Sequence, residues 1–120
     1  MDFNQIKSYC TSKTGAYEDY PFGPDTLVVK AESKMFALLS QSGNKVTISL
    51  KCDPFVAQNL RQQYTAVKPG YHLNKEHWNT VTVDDSIPDS ELRWMIDHSY
   101  DMVVKGLTKA EKARLVSHPG

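Results

Sequence analysis

The chemistry-bearing side chains of this 120-residue chain are concentrated in one stretch, Tyr71-His72-Leu73-Asn74-Lys75-Glu76-His77-Trp78-Asn79-Thr80. His72, Asn74, Lys75 and His77 supply donors that suit phosphate oxygens or base edges, while Tyr71 and Trp78 supply stacking surfaces. That mixture fits a nucleic-acid contact or a polar small-ligand site. The same residues also fit a structural role, with Trp78 packing as it opens a strand and Asn74 or His77 fixing a loop through backbone hydrogen bonds.

Other chemistries lack their residues. His72 and His77 stand five apart, which places them together on neither a helix nor a strand, and no Cys or Asp lies near to complete a ligand set, so no metal is expected. No GxSxG elbow positions a nucleophile, and Gly15, Gly23, Gly43, Gly70 and Gly106 stand alone without a phosphate-cradling arrangement. Asp84 and Asp85 read as a turn and cap before a helix in preference to a catalytic pair. Cys10 and Cys52 read as buried small residues in a reducing compartment. Acid-base work by His72, His77 and Lys75 has no specified substrate, so an enzyme is not expected, and neither is a cofactor.

The charge balance is zero, from 14 Lys plus Arg and 14 Asp plus Glu, yet its distribution is uneven. Residues 26–80 carry a net +4 and residues 81–101 a net −5. Such polarity orients a molecule on an anionic partner, or else the two segments pair with each other in the fold.

The elements that hold these residues follow from period and punctuation. Asp2 caps a helix with Phe3, Ile6, Tyr9 and Cys10 at helical spacing, ending before Thr14-Gly15. Ala16 to Pro24, with Tyr17, Tyr20, Phe22 and two prolines, reads as a structured loop. Strands are expected at Thr26 to Ala31, Met35 to Gln41 and Lys45 to Lys51, joined as a meander by short polar turns. In the third, Val46, Ile48 and Leu50 point one way, and Lys45, Thr47, Ser49 and Lys51 point the other. Asp53-Pro54 opens a helix to Gln63; Ala66-Val67 and Trp78 to Val83 are extended, with a turn at Pro69-Gly70. A long helix from Pro88 to Gly106 buries Leu92, Met95, Ile96, Ser99, Val103 and Leu107, and Thr108 with Glu111 boxes the start of a final helix to Val116. One domain over residues 1–116 is expected, with 117–120 as a frayed tail. No apolar run approaches the roughly 20 residues of a membrane span and no secretory layout opens the chain, so a cytoplasmic monomer without membrane contact is expected.

His72-Leu73-Asn74-Lys75-Glu76-His77-Trp78-Asn79-Thr80-Val81, with Ser49-Leu50-Lys51, Leu60-Arg61-Gln62-Gln63 and Pro88-Asp89-Ser90-Glu91-Leu92, resembles the MmcQ/YjbR family of small bacterial proteins. The resemblance implies an α+β fold of the CyaY-like type, an antiparallel sheet with helices on one face, which agrees with the element order α-β-β-β-α-β-β-α-α read above. It also implies DNA binding through a "double wing" arrangement. Carried onto this chain, it selects Lys51, Arg61, Lys68 and Lys75 to neutralise phosphates, His72, Asn74 and His77 to add hydrogen bonds, and Trp78 to pack or stack. With so small a charge excess, binding is expected to be weak and steeply salt-dependent. The alternative is an adaptor for a protein or small anionic ligand, with a pocket at the His72–Trp78 loop. Iron binding of the frataxin kind does not transfer, because the first helix offers only Asp2 beside Lys7 and Lys13.

Overall fold

The computed structural model describes residues 1–117; the expected tail beyond Ser117 lies outside them. The elements are α1 (Phe3–Thr11), β1 (Ala16–Asp19), β2 (Thr26–Ala31), β3 (Lys34–Ser42), β4 (Lys45–Lys51), α2 (Pro54–Gln63), β5 (Val67–Pro69), β6 (Trp78–Val83), α3 (Asp89–Lys105) and α4 (Lys109–Val116). The strands form one antiparallel sheet in the order β1-β2-β3-β4-β6-β5.

The Ala16–Pro24 stretch differs from expectation. Its first four residues are an edge strand, with Tyr17 opposite Lys30 and Asp19 opposite Val28, so the order gains a strand. Four residues with no apolar run give too short a period to detect, and the neighbouring strand β2 supplies the pairing that makes them extended. Asp84 is also reassigned. It closes the expected turn by accepting the Ser86 N–H at 3.0 Å but does not cap α3, which begins at Asp89 as expected, with Pro88 at the N-cap and no side-chain cap bond.

Helix boundaries otherwise follow their caps. Asp2 with Gln5 and Thr108 with Glu111 form capping boxes, and the Asp53 carboxylate accepts the N–H groups of Phe55 and Val56. All four helices lie on one side of the sheet. Ile6 and Cys10 of α1, Ala57 and Leu60 of α2, Ile96 and Val103 of α3, and Leu115 of α4 share one buried cluster with Leu27, Leu39, Ile48 and Val81. Those four strand residues stand in one register line, so the helices cover the face to which they point.

A β-bulge interrupts the β2–β3 register next to Lys30, leaving Phe36 as the extra residue between Met35 and Ala37. Phe36 and Ala37 are consequently both buried on the helix side. The β3–β4 ladder runs from Ser42↔Lys45 to Ala37↔Leu50, and beyond it Ser99 of α3 takes over. The Ser99 hydroxyl accepts the Lys51 N–H at 2.8 Å and donates to the Phe36 carbonyl at 2.6 Å.

Candidate nucleic-acid interface

The second face of the sheet has no helix on it. Side-chain alternation sends Lys45, Thr47, Ser49 and Lys51 of β4 to this face, together with Thr80 and Thr82 of β6, Lys68 of β5 and Lys30 of β2. Hydroxyls and ammonium groups therefore line most of its β4–β6–β5 half, whereas Val28 and Leu38 lie on the β2–β3 half. Ser49 and Thr80 hydroxyls bond each other at 2.8 Å across the β4–β6 seam, and Thr80 also accepts the Tyr71 N–H at 3.0 Å. Tyr71 is thus drawn over this face.

Its electrostatics separate from those of the helix side. Lys30 pairs with Asp19 at 2.8 Å, and this hydrogen-bonded partner holds the Asp19 carboxyl below the usual range. Among the described residues no ion pair engages Lys45, Lys51 or Lys68. The acids of α3 lie across the sheet, where Asp97 pairs with Lys13 and Asp89 with the N-terminal ammonium. Register places Lys51 opposite Trp78, and Lys68 opposite Thr80, which itself faces Ser49. At ordinary strand spacing, the Lys51 and Lys68 backbones stand about 12 Å apart across the sheet.

The remaining sequence-selected residues are partly consumed by the loop that joins β5 to β6. Arg61 reaches from α2, its Nε donating to Asn79 Oδ1 at 2.7 Å and one Nη to the carbonyls of Lys75 and Trp78. Lys75 Nζ donates to the Gly70 carbonyl at 2.9 Å. Asn74 Oδ1 accepts the Glu76 N–H at 2.9 Å, an Asx turn, and the Asn74 carbonyl accepts the His77 N–H. The His77 carbonyl in turn accepts the Cys52 N–H at 2.7 Å, tying the loop to the end of β4. His72 is exposed and left-handed at φ 59°, and its ring meets that of Tyr71 edge-on at 4.3 Å. Trp78 is only 8% exposed, so packing outweighs stacking there.

Gly70 faces Trp78 across the strand pair, where a Cβ would come within 2.7 Å of the Trp78 Cβ. The position is closed to any side chain.

The structure thus brings Lys51, Lys68 and Trp78 to one face and ties Arg61, Asn74, Lys75 and His77 to the architecture of the adjoining loop. Two small open clefts lie away from the Tyr71–His77 loop, the second of them reaching Lys51. One is bordered by Met1, Asp84 and Asp89, the other by Cys52, Leu60, Asn79, Trp94 and His98, and neither by Tyr71–His77.

The second cleft holds a group that the sequence reading missed. Trp94 stacks on His98 at 5.0 Å with planes 7° apart, and His98 Nε2 accepts the Asp53 N–H at 3.2 Å. The signal was the i, i+4 spacing of Trp94 and His98 beside the apolar stripe of α3. Burial pushes the neighbouring Cys52 thiol up to about 11, which makes it a packing residue and not a nucleophile.

His98 must stay neutral to accept that hydrogen bond. Burial holds its pKa below the ordinary value of 6.5, opposed by the charges of Asp53 and Asp101 and reinforced by Lys105. The unfolded chain therefore takes up this proton at higher pH than the native one, and stability falls as pH drops through the ordinary histidine range. Thermal melts between pH 7.5 and 5.5 should show a decline that His98→Gln, which retains an acceptor but does not titrate, makes shallower. An equal decline in both proteins would remove His98 as the cause.

The family model YjbR matches residues 11–102. A protein of Escherichia coli called "Uncharacterized protein YjbR" is 36% identical over 116 residues, covering 97% of this chain and 98% of that one. "Uncharacterized protein YbdF", also from Escherichia coli, is 40% identical over 96 residues, 80% of this chain and 79% of its own. Among solved structures, the Deinococcus radiodurans protein DR2400 superposes with a TM-score of 0.85 at 38% identity, covering 94% of this chain and 86% of that chain. A Pseudomonas syringae protein gives a TM-score of 0.74 at 28% identity, over 85% of this chain and 98% of its own. By sequence match and by shared fold, this chain belongs to the YjbR family.

Proposed function

We propose that the protein binds nucleic acid, holding the phosphate backbone against the helix-free face of its sheet. The supporting observation is the segregation of charge. Lys45, Lys51 and Lys68 share that face without ion-pair partners among the described residues, while the acids of α3 lie beyond the sheet on the helix side. The hydroxyls of Thr47 and Thr82 supply further donors to phosphate and sugar oxygens, those of Ser49 and Thr80 being bonded to each other. Lys45, Lys51 and Lys68 are the phosphate contacts, and Arg61 supports the loop beside Lys51 and Lys68.

Three ammonium contacts give weak binding with a steep salt response. Affinity should fall about 20- to 40-fold between 50 and 200 mM salt, from a slope of about 0.7 to 0.9 per phosphate contact. Fluorescence anisotropy with labelled oligonucleotides measures this. Lys51→Ala combined with Lys68→Ala should weaken binding and flatten the logarithmic salt slope by about two contacts' worth. A slope equal to that of the unmodified protein would sink the assignment of this face.

A further inference from the structure

The helix-free face is organised in rows. Across the sheet, register sets Tyr17 against Lys30, Lys30 against Met35, and Lys51 against Trp78, so one end of the face alternates aromatic, cationic and thioether side chains. Tyr71 continues this line past Trp78, anchored by its N–H to Thr80.

Two of these rings are presented to solvent. Tyr71 is 72% exposed and Tyr17 45%. Neither is loose, since the Tyr17 hydroxyl donates to the Glu32 carbonyl at 2.6 Å and the Tyr71 ring rests against His72. Exposed, restrained aromatic rings flanked by lysines offer stacking surfaces for bases and screening for phosphates.

Duplex DNA does not use such a surface well. Its bases are stacked inside the helix, and their edges are reached in grooves by a projecting helix or ribbon. No helix among the described residues projects from this face. The exposed charges of α3 include Glu91 and Asp101, on the opposite side of the sheet.

We propose that the occupant is a single-stranded nucleic acid laid across the strands, with one base on Tyr71, another on Tyr17 and intervening phosphates near Lys51 and Lys68. This deepens the nucleic-acid reading above and rests on it. From Tyr17 in β1 to Tyr71 just past β5 the path crosses about five strand spacings, about 24 Å, a span that a ten-nucleotide strand covers.

The test titrates the full chain into fluorescein-labelled ten-nucleotide thymidine and uridine strands and into a ten-pair duplex at low salt. Single strands should bind about tenfold more tightly than the duplex, Tyr71→Ala should lower single-strand affinity about tenfold, and Tyr71→Phe should restore it. Tyr17→Ala should act in the same direction. Both positions are exposed, and an unchanged melting temperature establishes that the variants are folded. Duplex binding equal to or tighter than single-strand binding overturns the inference while leaving nucleic-acid binding intact, as does single-strand affinity indifferent to Tyr71→Ala. Binding to neither form overturns the nucleic-acid reading itself.

Discussion

Ser99→Ala should destabilise the protein by about 2 to 4 kcal/mol, although it deletes a single oxygen. Ser99 is fully buried and stands where the β3–β4 ladder has stopped. Its hydroxyl completes the seam as a bridge, taking the Lys51 N–H and giving its own proton to the Phe36 carbonyl. Alanine leaves a donor and a buried acceptor without partners at once, and each orphan carries a penalty of about 1 to 3 kcal/mol. A melting temperature lowered by about 10 °C is the expected reading for a domain of this size. A shift below about 2 °C would mean that the strands close on each other once the hydroxyl is gone. The position matters to the proposed function because the Lys51 backbone, which carries an ammonium of the open face, is held by this bond.

Ser99 also shows how far sequence reading reaches. Its place in the buried stripe of α3 follows from helical period alone, whereas its task depends on a bulge in β3 and the end of β4, 63 and 48 residues away. The same division runs through the rest of the molecule. The alternation of β4 exposes its basic, hydroxylated face in the sequence, because period two separates Lys45, Thr47, Ser49 and Lys51 from Val46, Ile48 and Leu50. The addition of Lys68 to that face requires the register of β5 on β6, which no local pattern encodes. The strand β1 was invisible for a related reason, as its extended form is supplied by its neighbour. In the Tyr71–Thr80 stretch the residue types suited both a ligand contact and a fixed loop. The fold assigns much of the motif to the loop, since Asn74, Lys75 and His77 bond within it or tie it to β4.

Arg61→Lys separates those two uses of a cation. Were Arg61 a phosphate contact alone, lysine would preserve most of the binding and all of the stability, because the charge remains. The guanidinium instead joins α2 to β6 and the preceding loop, through Asn79 Oδ1 and the carbonyls of Lys75 and Trp78. Asn79 is 2% exposed, and its amide is already spent on the Ala57 carbonyl at 3.4 Å. Lysine carries one point-like ammonium and cannot reproduce a planar fork with donors aimed at separate acceptors. The substitution leaves Asn79 Oδ1 buried and unpaired, so a loss of about 2 to 3 kcal/mol is expected by denaturant or thermal unfolding. In the folded protein at low temperature, oligonucleotide affinity should change less than twofold, in contrast to the loss expected from removing Lys51 and Lys68. Unchanged stability with a large fall in affinity would reverse the assignment and return Arg61 to the binding surface. A fall in both would mean that the loop's geometry sets the position of Tyr71, a coupling that Tyr71→Ala in the Arg61→Lys background would reveal as a loss smaller than the two separate effects combined.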